Sequence, residues 1–472
     1  MKPFALIYAI LFIAHLIDAF PNGNLDFSKR DNNTIVPYYY NQTIDHYDKK
    51  SGTFKQKYFV NSAFYKPGGP IFITTAGETA ISVNQVKLSG ISYMASLFNG
   101  LVISVEHRFY GESYPPVPDL HTKNLKTHTV EQALADFATF ISNPPDVPVK
   151  IPKDSKWIFV GGSYAGSIAT WMRKKYPKLV FAAWASSAPL LAKLDFFEYD
   201  LEVGHALPCH DDVAGAIKYV DSILLSGNKT AIKALKVQYG LGVLEQDRDF
   251  ATAISFPVAI MVQSYFPPLS PNDIDTIPTF CGAFAKSPNK SPATLNAIYV
   301  QTFKFFLNSS KLTTDEAITR FFATSAISLA VPNDEVTYYY QSCTQFGWST
   351  TAPRPPHQSL RPQIVNVAGF QALCNFLFPG IPSLQVKKTN HELGGNKGTF
   401  SRTVFTTGGH DPWTPLTISG SDKHTISKNS VFVIINGSHT NDLRYPSSVD
   451  SASLTAARKF VKDNLSEWLK KY

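Results

Sequence analysis

The chain has 472 residues and a formal net charge of +8 at pH 7, a length beyond one ordinary domain. The charge is scattered in short basic pairs such as Lys174-Lys175 and Lys470-Lys471. No arginine-rich, aromatic-interleaved patch accompanies them, so the surface reads as solvated and mildly basic, with no nucleic-acid partner.

Met1-Lys-Pro is followed by an apolar run from Phe4 to Ile17 and then by Asp18-Ala19. A basic start, an apolar stretch and a small residue at the cut predict a signal peptide over 1–19 and a secreted or lysosomal product. A membrane anchor needs about 20 apolar residues; this run is shorter, and no other segment could span a bilayer. Removing 1–19 takes away Lys2 and Asp18, so the charge stays at +8. Sequons stand at Asn32, Asn41, Asn228, Asn289, Asn308, Asn436 and Asn464. In a secretory chain several are expected to carry glycans, with Asn32, Asn41, Asn228 and Asn308 as the candidate positions. Asn289 precedes Lys-Ser-Pro, and Asn436 lies three residues before His439, where a glycan would crowd the site described next.

Pro70-Ile-Phe-Ile-Thr-Thr75 and Leu101-Val-Ile-Ser-Val105 read as short apolar strands. Val130 to Ile141 reads as a helix, with Thr129 as N-cap and Gln132 at N3 of a capping box. This alternation predicts a mostly parallel sheet.

Trp157-Ile-Phe-Val-Gly-Gly-Ser-Tyr-Ala-Gly166 is an apolar strand ending in two glycines, a serine and a helical pattern. Such a turn is the nucleophile elbow of α/β-hydrolases, with Ser163 raised at a helix N-terminus. Ala165 stands where the usual G-x-S-x-G pattern has its last glycine. A serine nucleophile needs a base, and the base an orienting carboxylate, in the chain order Ser, Asp or Glu, His. Thr403 to Trp413 and Ser430 to His439 are strands breaking into turns, and they offer Asp411 and His439 just beyond the strand ends. His410 competes as base, but it directly precedes Asp411, and adjacent turn residues point apart. The oxyanion is expected to meet the Tyr164 backbone N–H and a second donor in Ala76-Gly-Glu78, with Gly77 as candidate. Glu78 would bind a substrate amine or stand as a structural carboxylate. Trp413 would wall the substrate pocket or simply fill the core. His107 and Arg108 suggest an ion-pair network behind the site.

Ser163 and Asp411 lie 248 residues apart (411 − 163), so an insertion is expected. Helical apolar spacing dominates 196–391, as in Ala214 to Leu225 and Ser291 to Val300, while Pro353-Arg-Pro-Pro356 reads as a loop. The expected architecture is an α/β-hydrolase fold with a large, mostly helical lid domain between nucleophile and acid. Its base comprises 20–195 and 392–472, closed by a helix from Ser451 to Lys470. Cys209, Cys281, Cys343 and Cys374 all fall in the insertion. In an oxidising compartment they predict two disulfides, with three connectivities open. Nothing at metal-ligand spacing accompanies them, so neither a metal nor a cofactor is expected.

The chain resembles the serine carboxypeptidase-like S28 peptidases, the family of lysosomal prolyl carboxypeptidase, dipeptidyl peptidase II and thymus-specific serine protease. The resemblance rests on Ile44-Asp-His-Tyr47, Tyr65-Lys-Pro-Gly-Gly-Pro-Ile-Phe72, Val105-Glu-His-Arg-Phe-Tyr-Gly-Glu-Ser113 and Gly161-Gly-Ser-Tyr164. It continues in Ala185-Ser-Ser-Ala-Pro189, Cys343-Thr-Gln-Phe-Gly347 and Asp411-Pro-Trp413. The match is nearest the thymus-specific branch, because Ser167 stands where the prolyl carboxypeptidase type has methionine. The resemblance implies a triad of Ser163, Asp411 and His439 and the pairings Cys209–Cys281 and Cys343–Cys374. It also implies an exopeptidase acting next to proline in short peptides, and it is compatible with a homodimer. Two other readings share the elbow: a lipase or esterase, and a catalytically inactive secreted binding protein.

Overall fold

The computed structural model describes residues 35–145, 149–266, 275–419 and 430–470. The expected signal peptide over 1–19 and the sequon at Asn32 lie outside them.

β1 (Tyr38–Thr43) and β2 (Thr53–Asn61) form an antiparallel hairpin. β3 (Ile71–Thr74) follows, then α1 (Val83–Lys87), α2 (Gly90–Leu97) and β4 (Leu101–Val105). Next come α3 (Val130–Ser142), β5 (Trp157–Gly162), α4 (Tyr164–Lys175) and β6 (Val180–Ser186). After β7 (Lys193–Asp195) the chain turns helical. It runs through α5 (Glu198–His205), α6 (His210–Leu224), α7 (Lys229–Gln238), α8 (Asp247–Gln263) and α9 (Thr276–Ala285). It continues with α10 (Pro292–Ser309), α11 (Asp315–Phe322) and α12 (Asp334–Gln341). β8 (Gly347–Ser349) pairs with β7 in a two-stranded sheet of its own, before α13 (Val367–Leu377) and α14 (Val386–Leu393). β9 (Thr403–Gly408) and β10 (Ser430–Ile434) rejoin the main sheet, and α15 (Ala452–Lys470) closes the fold.

The main sheet has the order β1-β2-β4-β3-β5-β6-β9-β10. It is antiparallel at β1/β2 and β2/β4 and parallel from there on. This is an α/β-hydrolase sheet, and the helical insertion opens after β6 and closes before β9. Every residue of β3, β4 and β6 is buried, as a parallel sheet covered on both faces requires. The pleat divides β3: Ile71 and Ile73 face the cluster with α3 and α4, while Phe72 joins Val86, Met94, Val461 and Leu465 from α1, α2 and α15. The first cluster continues into Phe250, Phe346 and Trp348 of the insertion. Base and insertion therefore share one core.

Thr129 caps α3, its Oγ1 accepting from the Gln132 N–H at 3.3 Å. The expected return bond of a capping box is absent. Gln132 instead donates to Asp45 Oδ1 (2.6 Å) and accepts from the His46 N–H (3.0 Å), so its side chain ties the β1–β2 connection to α3. The same connection meets Arg108. Its guanidinium donates twice to Asp136 (2.5 and 2.6 Å) and to the carbonyls of Thr43, Ile44 and Thr127. His46 Nε2 lies 2.7 Å from the same Asp136.

Cys209 is joined to Cys281 and Cys343 to Cys374, with Cα separations of 5.3 and 5.7 Å, within the ordinary disulfide range. Both bridges lie in the insertion and fit an oxidising compartment. Asn41, Asn228 and Asn308 are exposed. Asn228 also caps α7 through Oδ1. No helix among the described residues is long and apolar enough to cross a membrane.

Candidate active site

Ser163 sits between β5 and α4 with φ 56° and ψ −132°, a left-handed conformation that an L-residue adopts only under constraint. The constraint is local. The Ser163 N–H donates to the Ser186 carbonyl at 2.9 Å, while its own carbonyl accepts from the Gly166 and Ser167 N–H groups. A Cβ at Gly161 would lie 2.2 Å from the Ala165 carbonyl oxygen, so helix and strand meet too closely there for any side chain. Tyr164 opens α4, where an N–H has no intrahelical acceptor. Ser163 remains half-buried.

Asp411 and His439 follow β9 and β10, which are adjacent parallel strands. His439 Nδ1 lies 2.9 and 3.0 Å from the two Asp411 carboxylate oxygens. A carboxylate only accepts, so the imidazole proton is on Nδ1 and Nε2 carries a lone pair. That Nε2 is buried and has no hydrogen-bond partner. Asp411 Oδ1 also accepts the Trp413 N–H at 3.0 Å. The elbow and the base loop touch: a Cβ at Gly162 would come within 2.8 Å of Thr440 Cγ2, and the Thr440 N–H donates to Ser187 Oγ at 2.9 Å. His410 turns outward, its Nε2 3.2 Å from Asn436 Oδ1. The sequon Asn436 is therefore exposed beside His410 rather than His439.

The chain matches the serine carboxypeptidase S28 family model over residues 42–461. It belongs to that family. The human thymus-specific serine protease is 30% identical over 449 residues, covering 90% of this chain and 84% of its own. Serine protease vicPb of Bipolaris victoriae is 27% identical over 426 residues, covering 80% and 78%. A protein of Arthroderma benhamiae described as "Probable extracellular serine carboxypeptidase" is 26% identical over 498 residues, covering 90% and 67%.

In this S28 chain Gly77 lies against the elbow at φ 79°, where a Cβ would stand 3.0 Å from the Ala165 nitrogen. Its N–H donates to Thr75 Oγ1 at 3.3 Å. Glu78 is buried, its Oε2 lacks a partner, and burial pushes its carboxyl up to about 8. It lies close enough to Tyr110, Tyr164 and Tyr338 to act on their hydroxyls.

A cavity of about 240 Å³ lies within the insertion, and Trp413 is the one lining residue that comes from the base. Trp413, Tyr199, Gln263, Tyr338, Trp348 and Arg248 are among its lining residues, and Glu78 is not. Trp413 stacks edge-on against Tyr199 and Trp348 and lies 6.1 Å, ring to ring, from His439. Ser167, the departure in the elbow helix, is fully buried, donates to the Pro189 carbonyl at 2.8 Å and is not among the residues that line this cavity.

His107 takes no part in an ion pair of its own, unlike Arg108. Burial pushes it down to about 4, so it is a neutral hydrogen-bonding group. Gln341 Nε2 donates to Tyr164 OH (2.9 Å), which leaves the phenol to donate to His107 Nε2 (3.0 Å). The His107 Nδ1–H then donates to the Arg108 carbonyl (2.6 Å), and Tyr110 OH completes the chain onto Gln341 Oε1 (2.7 Å). The side chain behind the elbow is thus held by a glutamine of the insertion.

Sequence reading overlooked that glutamine, and it also overlooked Asp442. The Asp442 carboxylate accepts from Ser186 Oγ (2.5 Å), Thr406 Oγ1 (2.5 Å) and Trp184 Nε1 (3.1 Å), anchoring the base loop to β6 and β9. No local pattern marks either residue, because every partner is distant in the chain.

Proposed function

We propose that this S28 serine peptidase is an exopeptidase that trims short peptides, preferentially next to proline, through an acyl-enzyme formed on Ser163. The observation that carries the reading is the buried Asp411–His439 pair, with Nε2 free, packed against the strained turn that bears Ser163.

His439 Nε2 takes the Ser163 hydroxyl proton as the oxygen attacks the scissile carbonyl. Asp411 fixes the tautomer and stabilises the imidazolium. The tetrahedral oxyanion receives the Tyr164 N–H and the Gly77 N–H, the latter turning from the weak Thr75 acceptor. The imidazolium returns its proton to the leaving amine, which departs. Water, deprotonated by His439, then releases the acyl group and restores Ser163. Residues 196–391 act as a lid whose cavity, walled by Trp413, admits a few residues of unfolded chain. Proline's rigid ring suits an aromatic wall of this kind. Glu78, buried and not among the residues that line the cavity, takes the structural one of the two roles open to it. The expected signal peptide and glycans, with the two disulfides of the insertion, support a secreted or lysosomal product.

A fluorophosphonate probe tests the reading. Wild-type protein should be labelled and Ser163→Ala spared, with kcat on peptides reduced on the order of 10⁶-fold. Equal labelling of both removes Ser163 as nucleophile.

A further inference from the structure

α8 of the insertion ends at Gln263, and the last carbonyls of a helix have no partner within it. The Val262 carbonyl accepts the Ser264 and Tyr265 N–H groups just beyond the helix, and the base loop adds further donors. Ser438 Oγ donates to the carbonyls of Val262 (2.6 Å) and Gln263 (2.9 Å), and the His439 N–H donates to the Gln263 carbonyl (3.2 Å). Asn441 Nδ2 adds a bond to the Tyr265 carbonyl at 3.3 Å. The Gln263 side chain serves the other loop. Its Oε1 accepts from Trp413 Nε1 (2.9 Å) and Tyr199 OH (2.7 Å), and the Trp413 N–H in turn holds Asp411 Oδ1. Trp413, Tyr199 and Gln263 all line the cavity. One residue of the insertion therefore grips the acid loop by its side chain, the base loop by its carbonyl, and the cavity wall between them.

We propose that Gln263 is a positioning residue: through Trp413 and the His439 backbone it sets the mutual geometry of acid and base, and it passes cavity occupancy on to that geometry. This rests on the reading of Asp411 and His439 as partners of Ser163. Contacts made by substrate in the cavity tighten the Trp413–Gln263 bond and with it the base loop, so binding far from the scissile bond is converted into rate. A loosened base costs turnover because small misplacements of reacting groups are expensive.

The test uses the full chain and a short peptide substrate, with each variant assayed at its own pH optimum. Gln263→Leu keeps the volume and removes the Oε1 acceptor. It should lower kcat about 10- to 100-fold while KM stays within about threefold. Gln263→Glu keeps an acceptor oxygen for Trp413 and Tyr199 and should recover most of the loss. A small activated ester that leaves the cavity empty should lose less than the peptide does. Should Gln263→Leu fail to fold, judged by circular dichroism, Ser438→Ala carries the test from the other side and must show the same kcat-selective loss. A folded variant with intact kcat and raised KM makes Gln263 a cavity wall only and overturns the proposal. Fluorophosphonate labelling separates the two levels. Unlabelled wild type refutes the Ser163 reading itself, whereas labelled wild type with an unaffected kcat in Gln263→Leu refutes the positioning role alone.

Discussion

At the scale of single residues, two buried carboxyls of this chain do opposite things. Asp411 accepts from His439 and from the Trp413 backbone, so its oxygens are matched by donors. Asp411→Asn should preserve the fold and reverse the preferred tautomer of His439, lowering kcat on the order of 10⁴-fold. His410→Ala, whose ring faces Asn436, should leave kcat within a few-fold, and steady-state kinetics on one peptide checks both. Glu78 is buried with an unmatched oxygen, and its carboxyl is pushed up to about 8, against about 4.3 in an unfolded chain. The folded protein therefore holds this proton more tightly than the unfolded one. The associated stability is complete below about pH 4 and is lost as pH rises through about 8. Thermal melts should show wild type weakening between pH 5 and pH 8. Glu78→Gln should weaken less, by roughly 3–4 kcal/mol. Parallel curves would mean that Glu78 finds a partner when it ionises.

At the scale of elements, turns and strand ends were legible and long-range ties were not. Ser163, Asp411 and His439 each follow an apolar strand within two residues of a glycine or proline, so position and order could be read directly. α3 was legible to within a residue, but the role of Gln132 was not. Its partners Asp45 and His46 are 87 and 86 residues away, and a local rule sees only the helix. The two roles separate by mutation. Thr129→Ala removes a cap and should cost about 1 kcal/mol. Gln132→Ala should cost more, because it leaves the His46 N–H without a partner and takes from Asp45 one of its donors in a part-buried site; urea unfolding compares them. The elbow is stricter. Gly161→Ala would drive a methyl into the Ala165 carbonyl, and it should abolish fluorophosphonate labelling even where folded protein is recovered.

At the scale of the whole molecule, the insertion shares the core of the hydrolase sheet rather than standing as a separate lobe. Its aromatic residues join the sheet's core, and Gln263 and Gln341 reach the base loop and the elbow. The sequence indicated where the insertion lies and that it is helical. It could not indicate these contacts, since each glutamine bonds residues 150 or more positions away. The bridges Cys209–Cys281 and Cys343–Cys374 close loops with separations of 72 and 31 residues. Each is worth roughly 3–5 kcal/mol in the chain-entropy model, so replacing either pair with alanines should lower the melting temperature and, through the shared core, kcat as well. Mass spectrometry of a peptide-library digest and of an unfolded protein, at pH 5 and pH 7, should show single end-trimming events enriched beside proline. Internal cleavage throughout the unfolded protein would refute the lid and the exopeptidase reading together. The join between β6 and β9 also bears on how the enzyme comes into being. Ser186 of β6 pairs with Thr406 of β9, 220 residues later (406 − 186), so the strand that leads to Asp411 can dock only after the whole insertion has been synthesised. A chain emerging from the ribosome would carry its serine long before its histidine, and it would stay inert toward neighbouring nascent chains until its last strands are delivered.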